Sequence, residues 1–169
     1  MGISHLAMLF LALQIGSLRY ACPASTEDGT GAFSIQASLD WKATLPGVRV
    51  SKDRQDLRDG TFVGSNGARM KILRLMKVEA DVLKDAAEEI DRAAATQPDV
   101  FQPLNLRGGY HGGLFERAGP KKKSQGVWVI ARLIRGQELV DVTVHGERRL
   151  KREEMDQLAM MLRTFQPEN

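Results

Sequence analysis

The feature that most restricts this chain is a run of strict alternation over residues 33–45. Phe33, Ile35, Ala37, Leu39, Trp41, Ala43 and Leu45 are apolar, while Ser34, Gln36, Ser38, Asp40, Lys42 and Thr44 between them are polar. Successive side chains of a strand point to opposite sides, so this pattern requires a sheet with one face on a core. A helix would scatter the same residues around its circumference. The run exceeds an ordinary strand length, so a bend or turn is expected near Ser38-Leu39-Asp40. Pro46-Gly47 then ends it as a turn dipeptide.

The rest of the chain alternates strand and helix patterns. "DLRDG" and "GSNG" are turns around a short strand at 61–63. The stretch "ARMKILRLMKV" (68–78) predicts a strand with Met70, Ile72, Met76 and Val78 on one face, Arg74 interrupting it, and Leu73 and Leu75 on the other. Apolar residues on both faces imply partial cover on both sides. Over 79–96, Leu83, Ala86, Ala87, Ile90 and Ala94 recur at helical spacing. Glu79 and Asp81 suit the N-terminus of that helix, and Pro98 stops it.

A three-strand meander is expected next: 104–119, the turn "PKKKSQ", 126–135, a tight turn at Gly136-Gln137, and 138–146. Its middle strand carries Val127, Val129, Ala131 and Leu133 on one face, with Trp128, Ile130 and Ile134 on the other. Its last strand directs Val140, Val142 and Val144 inward, away from Asp141, Thr143 and His145. A closing helix over 151–165 presents Met155, Leu158, Met161, Leu162 and Phe165 as one stripe.

The first two dozen residues differ in character. "HLAMLFLALQIG" (5–16) is nearly uncharged and has the length of a signal-peptide hydrophobic region. It is shorter than the roughly 20 apolar residues that cross a bilayer. Small side chains at Cys22 and Ala24 suit peptidase cleavage after Ala24, which gives residues 1–24 as a signal peptide, 25–31 as a linker and 32–166 as one domain. No Lys or Arg precedes His5, so a buried N-terminal helix is the competing reading. Cys22 is the single cysteine, which excludes an internal disulfide. It is also a candidate lipidation residue, although Arg19 and Tyr20 stand where a lipoprotein signal carries aliphatic and small residues.

Composition bounds the function classes. Hydrophobic residues make up 43% and charged residues 27% of 169 positions, the balance of a globular domain. A net charge of +3 is too small to point to nucleic acid, which requires a concentrated basic face.

"NLRGGYHGGLFERAG" (105–119) is the stretch closest to a ligand-binding motif. Gly108 and Gly113 have P-loop spacing, but Leu114-Phe115 follow where Lys and Ser/Thr must stand to reach phosphates. The glycines are paired, which also fails the dinucleotide pattern. They are expected to serve the backbone of a strand that bends, or that passes beneath a bulky neighbour such as Trp128. His111 and His145, with Asp141 or Glu116, are the one route to a metal site, and that is a weak two-His set. No metal or cofactor is therefore expected. No Ser, His and acid fall into a nucleophile context, and "GSNG" is not a nucleophile elbow, so no catalytic residue is assigned. Lys121, Lys122 and Lys123 are expected to keep a hairpin tip soluble.

The element order, together with "FSIQASLDWKATLPG" and the closing "LAMMLRTF", resembles the PsbP-like fold superfamily, which includes bacterial envelope proteins of the DcrB type. The resemblance spans most of 32–166. It implies an α+β fold: an α/β/α sandwich with an antiparallel sheet flanked by two main helices. It also implies a non-enzymatic accessory or binding role, and it carries over no site residue. The expected function is therefore an exported, secreted or periplasmic accessory domain, of bacterial envelope or effector-partner type, that binds another protein. A membrane contact is expected only through a lipidated Cys22. The alternatives are a small-molecule or ion-binding module near Tyr110, His111 and Trp128, and, less favoured, a small hydrolase-type enzyme.

Overall fold

The computed structural model describes residues 18–27, 29–37, 40–43, 49–51, 54–56, 60–64, 66–117, 127–146 and 148–169. The fold is mixed α+β, with two helices and a predominantly antiparallel set of strands in two sheets. The strands are β1 (Leu18–Cys22), β2 (Phe33–Ala37), β3 (Trp41–Ala43), β4 (Arg49–Ser51), β5 (Arg54–Asp56), β6 (Thr61–Gly64), β7 (Arg69–Leu75), β8 (Gln102–Asn105), β9 (His111–Arg117), β10 (Val127–Arg135), β11 (Glu138–Gly146) and β12 (Gln166–Pro167). The helices are α1 (Ala80–Thr96) and α2 (Arg152–Leu162).

The larger sheet has the order β3-β6-β7-β11-β10-β9-β8, and the smaller one β12-β2-β1-β5-β4. Among the described residues the pairing of β1 with β5 is the one parallel contact. The alternating run that opened the sequence does break where expected, with Asp40 in a turn. The break does more than bend the chain, since β2 lies in the smaller sheet and β3 in the larger. The two halves of one pattern therefore line the core from different sheets. Ile35 and Ala37 face Phe62 and Met70 within a single hydrophobic cluster.

That cluster fills the space between the inner face of the larger sheet and a layer made of α2 and the smaller sheet. The expected inward residues Val129, Ala131, Leu133, Val140, Val142 and Val144 all lie there, as does the whole stripe of α2 with Phe165. On the outer face, α1 packs against β9 and β10, where Ala93 meets Phe115 and Ile130. Small alanine side chains let the helix approach the sheet closely.

Several expectations are corrected. Among the described residues, a strand already lies at Leu18–Cys22, before the residue 32 at which the domain was expected to open. β1 pairs with β2 over five residues, and Tyr20 and Ala21 are buried. Tyr20 also sets its ring edge-on to Phe62, 5.3 Å away. Cleavage after Ala24 would remove this strand from between its two neighbours. Cleavage before Cys22 would remove four of its five residues, including both buried ones.

In α1 the buried stripe uses Ala93, while Ala94 is exposed. The strand predicted over 68–78 ends at Leu75, leaving Met76 and Val78 outside it. The segment 105–119 is not one strand. It is the end of β8, a turn at 106–110 and then β9, so the meander has four strands. Gly108 and Gly109 have φ of 85° and 86°, in the left-handed region that favours glycine, and this closes the turn. The second glycine pair does allow close approach, but Gly113 lies beneath Phe101 and not Trp128. A Cβ there would come within 2.3 Å of the Phe101 ring. Leu39, Pro46-Gly47, most of "DLRDG" and "PKKKSQ" lie outside the described residues.

Candidate functional site

The candidates Tyr110, His111 and Trp128 do not converge. Tyr110 is buried in the turn between β8 and β9, whereas His111 is exposed at the start of β9. Strand register sets His111 opposite Ile134 and sets Trp128 opposite Arg117 and His145. Six residues of β10 separate the two positions, or roughly 20 Å at strand rise. The same register keeps His111 and His145 apart at opposite ends of the sheet. Among the described residues no group of three or more His, Cys, Asp or Glu is placed to hold a metal ion. The side chain of Trp128 lies outside the described residues. Cys22 is half-buried at the end of β1, beside Phe33.

Tyr110 instead joins a polar cluster that sequence reasoning missed. Its ring stands edge-on to Phe165 at 5.6 Å, and its hydroxyl donates to Glu138 Oε2. Arg74 Nε donates to the Tyr110 hydroxyl at 3.1 Å and to Glu138 Oε2 at 3.0 Å. Arg74 Nη1 reaches the carbonyls of Ala32 at 2.6 Å and Glu168 at 2.7 Å. Arg135 donates to both Glu138 oxygens, at 2.8 and 2.9 Å, and its guanidinium lies 4.3 Å from the centre of the Tyr110 ring.

The electrostatics follow from this geometry. Burial alone would raise the pKa of Glu138, but hydrogen bonds from Tyr110, Arg135 and Arg74 outweigh it and bring the carboxyl down to about 2. Burial, and then donation to that carboxylate, holds the Tyr110 hydroxyl above its ordinary value. The carboxylate is therefore fixed as an anion and the phenol as a donor, so neither is poised to exchange a proton near neutral pH. Arg74 fastens the C-terminal strand β12 to the rest of the molecule. The cluster is a structural clamp.

A second polar group lies between α1 and the outer face of the sheet. Glu89 Oε2 stands 2.7 Å from Arg132 Nη1, and Arg132 Nε stands 3.4 Å from Asp141 Oδ1 without hydrogen-bond geometry. Burial raises the pKa of Asp141, with Arg132 opposing and Glu89 adding to the shift.

An open cleft of about 190 Å³ lies between β3, β6 and α2. Asp40, Trp41, Gly64, Asn66, Glu154 and Gln157 line it. This is smaller than the roughly 300 Å³ at which drug-sized ligand sites begin. Glu154 is fully engaged. It accepts from Arg148 Nη2 at 2.7 Å, Arg148 Nη1 at 2.9 Å, Asn66 Nδ2 at 3.0 Å and the Lys151 backbone N–H at 2.6 Å. These bonds, Arg148 first, lower its pKa to about 2. It cannot serve as a proton donor near neutrality. Asn66 in "GSNG", which looked like a plain turn, thus also ties that turn to α2.

No family model, curated protein or solved structure matches this chain.

Proposed function

We propose that this chain is an exported, non-enzymatic accessory domain of the PsbP-like α/β/α type, acting at a bacterial envelope by binding another protein. One observation carries the reading. α1 packs on β9 and β10 and reaches β11 at Asp141 through Arg132, whereas no described helix covers the outer face of β6 and β7, or of β11 beyond Asp141. Val63, Leu73, Leu75 and Thr143 are partly exposed there, and Lys71 is exposed among them. A rigid sheet surface that mixes partly exposed apolar side chains with a hydroxyl and a lysine has the mixed polarity of a non-obligate protein interface. Export rests on the hydrophobic stretch 5–16. Because β1 belongs to the fold, the exported form in this reading keeps residues 18–24, and Cys22 carries no lipid.

The test is affinity capture from an envelope fraction with the full chain and with a Leu73→Arg/Thr143→Arg variant. A partner held by the first and lost by the second supports the reading. The same proteins on both, with the variant still folded, overturn it.

A further inference from the structure

The outer face of the larger sheet divides into a ridge and a trough. α1 is the ridge, over β9 and β10. The trough beside it is floored by β6, β7 and the Thr143 end of β11. Register sets Thr61 and Thr143 on either side of Lys71, and Val63 and His145 on either side of Arg69. Arg69, Lys71, Leu73 and Leu75 are the successive outward positions of β7. Three strands span about 14 Å, and the seven residues of β7 about 23 Å. That is room for one helix, about 10 Å across.

Ridge and trough carry opposite charge. Arg69 and Lys71 are exposed, and neither has an ion-pair partner among the described residues. Asp141, the acid at the edge of the trough, is turned to Arg132. On α1, Asp81, Asp85 and Glu88 recur at i, i+4 and i+7 and are all exposed, which makes an acidic stripe that Arg92 closes. Lys84 stands 3.9 Å from Glu88, but both are exposed and solvent weakens such a pair.

The stripe runs beside the line of Val82 and Glu89, which share one side of the helix at seven-residue spacing. Glu89 holds Arg132, and Arg132 leans toward Asp141 of β11, so this side of α1 borders the trough. Val82 on it is 46% exposed, the one exposed large hydrophobic side chain among the described residues.

A ridge beside a trough, acidic beside basic, is complementary to itself under a two-fold axis. Turning a second copy about an axis parallel to α1 lays each α1 in the trough of the other copy. Asp81, Asp85 and Glu88 of each copy then face Arg69 and Lys71 of the other, and the two Val82 side chains approach near the axis.

We propose that this face is the interface of a weak homodimer of this chain, with α1 of each copy seated in the trough of the other. This use of the face rests on the docking reading of the same surface and adds a regulation to it: the dimer covers the surface, and any other partner displaces one copy. Ridge and trough together cover about 600 Å² per copy, or about 1,200 Å² in the pair, the lower bound of specific interfaces. The dimer is therefore expected to be reversible in the micromolar range.

The test is analytical ultracentrifugation of the full chain across that range, beside an Arg69→Glu/Lys71→Glu variant and an Asp85→Lys/Glu88→Lys variant. Each exposed ion pair strengthens association only about two-fold, but the axis makes every pair twice, so each variant alone should associate roughly ten-fold more weakly or worse. All four side chains are exposed, and an unchanged urea midpoint would show that each variant folds. Mixed in equal amounts, the two variants should restore the dimer, because the acidic α1 of one meets the basic trough of the other and the reverse holds at the second contact. A monomer at every concentration, a dimer that both variants retain, or a mixture that fails to associate overturns the proposal. A monomeric chain whose captured partner is still lost with Leu73→Arg/Thr143→Arg sinks the dimer and leaves the docking reading standing. A dimer that charge reversal breaks, with the same proteins captured by parent and by Leu73→Arg/Thr143→Arg, does the opposite.

Discussion

Arg74→Met is the most informative perturbation of this fold. The side chain occupies a core-facing position of β7 at 4% exposure, and its guanidinium holds four acceptors: the Tyr110 hydroxyl, Glu138, and the carbonyls of Ala32 and Glu168. Methionine keeps the length of the stem and removes every donor. Breaking a buried ion pair from one side costs about 3–5 kcal/mol. Here Glu138 keeps two bonds from Arg135, and Ala32 keeps the backbone N–H of Glu168 at 2.9 Å. The cost should therefore sit near the lower bound, about 3 kcal/mol. With a urea m-value of about 2 kcal/mol per M, the unfolding midpoint should fall by roughly 1.5 M. Acid adds a second readout. Glu138 has a folded pKa of about 2, below its ordinary 4.5. Its contribution is fully present above pH 4.5 and is lost as pH falls toward 2. The variant loses one of the donors that depress this pKa, so its acid-sensitive contribution is smaller and the two midpoints should converge over that window. A midpoint shift below about 0.5 M, or a gap independent of pH, would refute the clamp.

Four further outcomes are expected. Gly113→Ala should destabilise by about 1–3 kcal/mol in urea unfolding, because its Cβ would enter the Phe101 ring, which is stacked on Phe115. Gly108→Ala should cost only about 1 kcal/mol, the penalty of a left-handed φ for a residue with a Cβ. Glu154→Gln should cost about 1 kcal/mol through the weakened cap on α2, and it should remove an acid-sensitive contribution that the parent loses between pH 4.5 and about 2. A chain starting at Ser25 should lack the cooperative thermal transition of the full chain, since β1 is flanked by β2 and β5; an intact transition would place β1 outside the essential fold.

Most of the fold was legible wherever one periodicity dominated. β10, β11 and α2 carry unbroken period-2 or period-3.6 patterns, and their buried faces are the ones that spacing assigns. Pattern says nothing about which sheet a strand joins, so 33–45 did not reveal that its two halves diverge. β1 was illegible for a physical reason. "LRYAC" has no alternation of its own and follows an apolar stretch of signal-peptide character, so composition outweighed pairing. Only its partners β2 and β5 identify it. The paired glycines carried two meanings in one motif, a left-handed turn at Gly108-Gly109 and close packing at Gly112-Gly113. Spacing alone cannot separate them.

The clamp was hidden because its members look like errors of pattern. Arg74 interrupts an apolar face, and Glu138 sits beside a tight turn where an exposed acid is ordinary. They meet because β7 and β11 pair with Arg74 opposite Val140, two residues beyond Glu138.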